Sequence, residues 1–108
     1  MKKALIVGIN NYLISPLKGC VNDASSFASI IEKNGDGSPN FAVILKTDIQ
    51  TKAELKSLIV DLFRGTDDIA LLYFSGHGVL NALGGYIVTP DYKKFDEGIS
   101  MDEILVMA

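Results

Sequence analysis

"KALIVGI", residues 3–9, is a nearly continuous apolar run rich in branched side chains. An amphipathic surface strand would alternate apolar and polar residues. This one does not, which predicts a strand covered on both faces, as in a parallel sheet. Two later runs share this character, "FAVIL" (41–45) and "IALLYF" (69–74). Helical spacing separates them. Ala24, Phe27, Ala28 and Ile31 fall at i, i+3, i+4 and i+7, with Asn22 or Asp23 as the expected cap and Gly35 as the expected stop. Thr51 and Glu54 form a capping box before Leu55, Leu58, Ile59 and Leu62 on one face. The order strand–helix–strand–helix–strand predicts an α/β fold: a doubly wound, mostly parallel sheet with helices on both faces.

Beyond the third strand, "GGYIVTPD" (84–91) reads as a further short strand. Ser100 and Glu103 form a second capping box that opens "SMDEILVMA". This last helix is short and has no stop signal, and three core strands are few for an open sheet. The expectation is that residues 1–108 are part of a longer domain.

Bulk properties narrow the function. The 108 residues are 48% hydrophobic and 21% charged, which excludes a disordered tail or a fibrous repeat. The net charge is −3, and Lys2-Lys3 and Lys93-Lys94 are the only adjacent basic pairs, so there is no electrostatic footprint for nucleic acid. No apolar stretch approaches the roughly 18 residues of a membrane span. The single cysteine excludes an internal disulfide, and a cytoplasmic protein is expected.

Several site chemistries also fall away. The sequence after strand one, "GINNYLISPLKG", lacks the glycine spacing of a dinucleotide fingerprint, and there is no Walker motif. One His and one Cys make zinc improbable. "NGDGSPN" (34–40) lacks the ligand spacing of a calcium loop. No G-x-S-x-G elbow accompanies "SGHG", which leaves the oxyanion loop of an α/β-hydrolase as a minor alternative only.

What remains is "LLYFSGHGVL" (71–80), with the only histidine of the chain between two glycines at a strand end. Ligands of doubly wound sheets gather at that edge. An imidazole there can activate a thiol, and the next backbone N–H, that of Gly78, can donate to an oxyanion. An ordinary glycine turn accounts for the stretch equally well. The loop holding Cys20 and Asp23 is expected at the same edge.

Taken together, "KALIVGINNY…PLKGCVNDA", "LLYFSGHG" and "GGYIVTPD" resemble the N-terminal part of the caspase-like cysteine peptidases, in particular the metacaspase and bacterial caspase-homologue branch. The resemblance covers nearly the whole chain in the family's order. It implies a Cys–His dyad to which His77 belongs, with Gly78 supplying an oxyanion-hole amide. It also implies that Asp23 lines the pocket for the substrate's P1 side chain, with Ser75 and Cys20 beside it. A carboxylate there attracts Arg or Lys. For Asp23 the competing reading is a helix cap, and for Cys20 a small packed hydrophobe. The partner implied is a peptide or protein substrate, together with the rest of the catalytic domain. No cofactor is visible, although calcium activation occurs within that branch.

The family nucleophile lies at the end of the next strand, about 50 residues beyond the histidine. That position falls outside residues 1–108, so the chain alone is expected to be inactive. The alternative is a pseudo-peptidase or interaction module that keeps the fold. A small-ligand domain with "SGHG" as a plain turn is a third reading.

Overall fold

The computed structural model describes residues 2–13, 15–65, 67–81, 84–93 and 96–108, the side chains of 81, 92, 93, 96 and 97 excepted. The elements in chain order are β1 (Lys2–Gly8), α1 (Cys20–Glu32), β2 (Ala42–Thr47), α2 (Lys52–Phe63), β3 (Ile69–Ser75), β4 (Gly78–Asn81), β5 (Gly84–Lys93), β6 (Asp96–Ser100) and α3 (Met101–Met107).

The first three strands form a parallel sheet in the order β2-β1-β3. β1 is the middle strand, and its run from Ala4 to Val7 is buried on both faces, as its composition predicts. Alternate side chains feed two cores. Leu5 and Val7 join Leu55, Ile59 and Leu62 of α2 on one face, and Ala4 and Ile6 meet Ala24 and Ala28 of α1 on the other. The helices therefore cover opposite faces. Side chains as fully buried as Ile59 each contribute about 1.5–3 kcal/mol.

The α1 face is the thinner one. Its buried helical residues are alanines, so the helix backbone sits close to the sheet. At Gly8 a Cβ would lie 2.6 Å from the Cys20 carbonyl oxygen and 2.8 Å from the Ala24 Cβ, so only glycine fits there.

β3 differs from the expected buried strand. Its residues are only partly buried and Ile69 is 44% exposed. The cause is its place in the sheet, since among the described residues it pairs with β1 on one side only.

The chain after β3 also departs from expectation. Residues 84–91 do form a strand, but within a second, antiparallel sheet of order β4-β5-β6. A parallel crossover needs a dozen or more residues. Only residues 82 and 83 separate β4 from β5, so those two strands can pair only antiparallel. The flanking strands escape a pattern search because "GVLN" is very short and "DEGIS" is mostly polar. Ile87, Val88 and Ile99 of this sheet, with Ile104 of α3, pack into the α2-side core.

Two helix starts follow the predicted caps. The Thr51 hydroxyl accepts the Glu54 amide at 3.2 Å, and the Ser100 hydroxyl accepts the Glu103 amide at 3.0 Å. α1 does not follow its prediction. It begins at Cys20, ahead of both Asn22 and Asp23, and ends at Glu32 rather than at Gly35. Its N-cap position is Gly19, which has no side chain to offer. The cap comes instead from Asn10, whose Oδ1 accepts the amides of Cys20 at 3.0 Å and Val21 at 3.2 Å. At the other end Lys33 turns extended and bridges to Pro39, which stops the helix.

Candidate active site

The carboxyl ends of β1 and β3 lie side by side, with Gly8 opposite Ser75. The Ser75 carbonyl accepts the Ile9 amide at 2.9 Å, which carries the pairing one residue past the strand. The close approach of Gly8 to the Cys20 carbonyl brings the first turn of α1 to the same edge. Ser75 and Cys20 therefore both flank Gly8. Cys20 lies in the helix and not in the loop expected from the sequence, and so does Asp23. Asp23 is exposed and follows Cys20 by three residues, so the two share a side of the helix. It does not cap α1; its amide donates to the Gly19 carbonyl at 2.9 Å.

His77 follows β3 by two residues and is partly buried. Its Nε2 lies 2.6 Å from the carbonyl oxygen of Ser15. A carbonyl can only accept, so Nε2 carries the proton and Nδ1 is the basic nitrogen of the neutral ring. No hydrogen bond among the described residues engages Nδ1. Ser15 makes this contact from a left-handed backbone conformation, φ 56°. The edge of the Tyr12 ring meets the imidazole, with centroids 4.5 Å apart and planes inclined at 62°.

The Gly78 amide can be placed by ladder logic. His77 and Val88 are a hydrogen-bonded pair, since the Val88 amide donates to the His77 carbonyl at 2.9 Å. Bonded and non-bonded pairs alternate along an antiparallel ladder. The next pair, Gly78 and Ile87, is therefore non-bonded, and the Gly78 N–H turns away from β5.

The supporting shell includes residues that pattern reading passed over. Asp48, at the end of β2, accepts the amides of Asn10 at 2.8 Å and Asn11 at 3.1 Å on one carboxylate oxygen. Its own amide donates to the Gly8 carbonyl at 2.8 Å, and it takes φ 53° to do so. The Tyr12 hydroxyl donates to the Val88 carbonyl at 2.8 Å and accepts the His77 amide at 3.0 Å. Burial pushes the Tyr12 phenol above its ordinary value, the nearby Cys20 and Asp48 push the same way, and the His77 amide pulls against them. Asp91 of β5 accepts the first amide of α2, from Lys52, and the buried Thr89 hydroxyl at 2.6 Å. The available sequence signal was the cluster "NNY" at a strand end, since Asn is a strong capping residue. Its helix begins ten residues later, beyond the range of any local motif.

Among the described residues, no group of three or more His, Cys, Asp or Glu side chains is placed to hold a metal ion. No helix of the described residues is long and apolar enough to cross a membrane.

A parallel sheet covered by helices on both faces, with a lone histidine and a helix-borne cysteine and aspartate at its carboxyl edge, defines an α/β protein with polar residues at the edge where ligands of such sheets gather. The family model for the caspase domain of peptidase C14 matches residues 1–107, and the chain belongs to that family of cysteine peptidases. Comparison with curated proteins finds none that matches.

Proposed function

We propose that this chain carries the histidine half of a caspase-like cysteine endopeptidase of the metacaspase type, cutting after Arg or Lys. His77 is the general base and acid, the Gly78 amide is an oxyanion donor, and Asp23 with Ser75 and Cys20 forms the P1 pocket. The observation that carries the reading is the bond from His77 Nε2 to the Ser15 carbonyl, which leaves Nδ1 as the basic nitrogen. The outward turn of the Gly78 amide adds to it.

The nucleophile in this reading lies outside residues 1–108, on a strand that adds to the edge of β3 away from β1. Cys20 is the only cysteine of the chain, and its place on the first turn of α1 suits a pocket wall. In the chemistry proposed, His77 takes the thiol proton and the thiolate attacks the peptide carbonyl. His77 then returns the proton to the leaving amine, and water resolves the thioester. The oxyanion formed at each addition is held by the Gly78 N–H. A cytoplasmic setting fits the single cysteine.

The test uses the intact protein. His77→Ala abolishes cleavage of peptides with Arg or Lys at P1, and Asp23→Ala removes the preference for those residues over neutral ones. Retained cleavage in the His77 variant refutes the assignment. Retained basic preference in the Asp23 variant refutes the pocket alone.

A further inference from the structure

The Tyr12 hydroxyl is threaded into a β ladder. The β4–β5 register, Gly78 opposite Ile87 and Val79 opposite Tyr86, continues back by one step to His77 opposite Val88. A hydrogen-bonded antiparallel pair exchanges two bonds. One is made directly, from the Val88 amide to the His77 carbonyl at 2.9 Å. The other is interrupted: the His77 amide donates to the Tyr12 oxygen at 3.0 Å, and that hydroxyl donates onward to the Val88 carbonyl at 2.8 Å. A side chain from the loop after β1 thus replaces one rung.

The sequence makes room for this insertion. A Cβ on Gly76 would stand 2.6 Å from the Tyr12 oxygen and 2.8 Å from the Phe74 ring. Glycine at 76 is therefore what lets the phenol reach the ladder. Tyr12 itself is 3% exposed, so water does not compete for its hydroxyl.

We propose that Tyr12 is a positioning residue for the His77–Gly78 peptide, an inference that rests on the reading of His77 as the catalytic base. That peptide carries both the imidazole and the Gly78 N–H. One hydroxyl, held by an amide on one side and a carbonyl on the other, sets the position of both. Its ring meanwhile limits the tilt of the imidazole through the edge contact.

Tyr12→Phe in the intact protein keeps the ring and removes the inserted oxygen, so the ladder closes or opens around His77. The expected result is a fall in kcat of about 10- to 100-fold with KM changed less than about twofold, because a displacement near 1 Å is felt in the chemical step. The 15N signals of the His77 ring should move in the same variant. A Tyr12→Phe protein with normal kcat and unmoved ring signals overturns the proposal, even if its melting temperature falls. If that variant does not fold, Gly76→Ala displaces the hydroxyl from the other side and should give the same loss of kcat; normal kcat there overturns the proposal. The ring signals also separate the two readings. Should His77→Ala retain full cleavage, the peptidase reading fails, while a shifted ring signal in Tyr12→Phe still supports positioning of His77 by Tyr12 and an unmoved one refutes it.

Discussion

Asn10 caps a helix that begins ten residues after it: its Oδ1 lies 3.0 Å from the Cys20 amide and 3.2 Å from the Val21 amide. The end of β1 and the start of α1 are thereby tied by a side chain. Asn10→Ala leaves both amides without that acceptor, and Gly19 has no side chain to replace it. The expected cost is about 1 kcal/mol, within the usual range for a lost cap. Urea unfolding should show a lower midpoint at unchanged m-value.

Asp48 is a second tie, from the end of β2, and it holds a left-handed backbone as it accepts two amides. Asn keeps an acceptor oxygen and tolerates that conformation, whereas Ala does neither. Asp48→Asn should therefore cost less than about 1 kcal/mol and Asp48→Ala about 2–4 kcal/mol. Equal midpoints for the two variants in chemical denaturation would contradict the assignment.

Gly8 is the contact point between sheet and α1. Gly8→Ala puts a methyl group against the Cys20 carbonyl and the Ala24 side chain, so the helix must lift. Overpacking of this kind costs about 1–3 kcal/mol. Because the clash is with backbone, the upper end is expected, and thermal unfolding measured by circular dichroism is the check.

Tyr12 predicts an alkaline limit to stability. Its phenol is raised above the ordinary value, chiefly by burial, so the folded state holds this proton more tightly than the unfolded state. The contribution is fully present below the unfolded value near pH 10 and is lost as pH rises through the folded value. Ionisation also ends donation to the Val88 carbonyl. Unfolding free energy measured between about pH 9 and 11 should fall more steeply for the wild type than for Tyr12→Phe.

The parts of the fold that repeat locally were legible in the sequence. β1, β2, β3 and α2 declare themselves by apolar runs or by 3.6-residue spacing, and Thr51 and Ser100 announce their helices within three residues. The start of α1 escapes local reading because its cap comes from Asn10 and not from a neighbour. β4 and β6 leave no pattern in the sequence because they carry no alternation to detect. Of the candidate site, His77 and Gly78 stand out by their glycine context, and Cys20, Asp23 and Ser75 by family resemblance. Tyr12, Ser15 and Asp48 did not stand out. Each acts through one oxygen on a partner at least 37 residues away in the chain, and such pairings leave no local trace.

The central place of β1 has a consequence for how the chain is made. Of the three parallel strands it is synthesised before the others and buried most, yet Lys3 waits for Ala42 and Lys2 for Ile69 before its two edges are paired. A nascent chain must therefore carry an apolar strand with both edges open through the synthesis of α1, and with one edge open through that of α2. Long-range parallel pairing of this kind is slow and exposes the unfinished strand to aggregation. The apolar stretch "ALIV" is paired on both edges only once β3 has emerged.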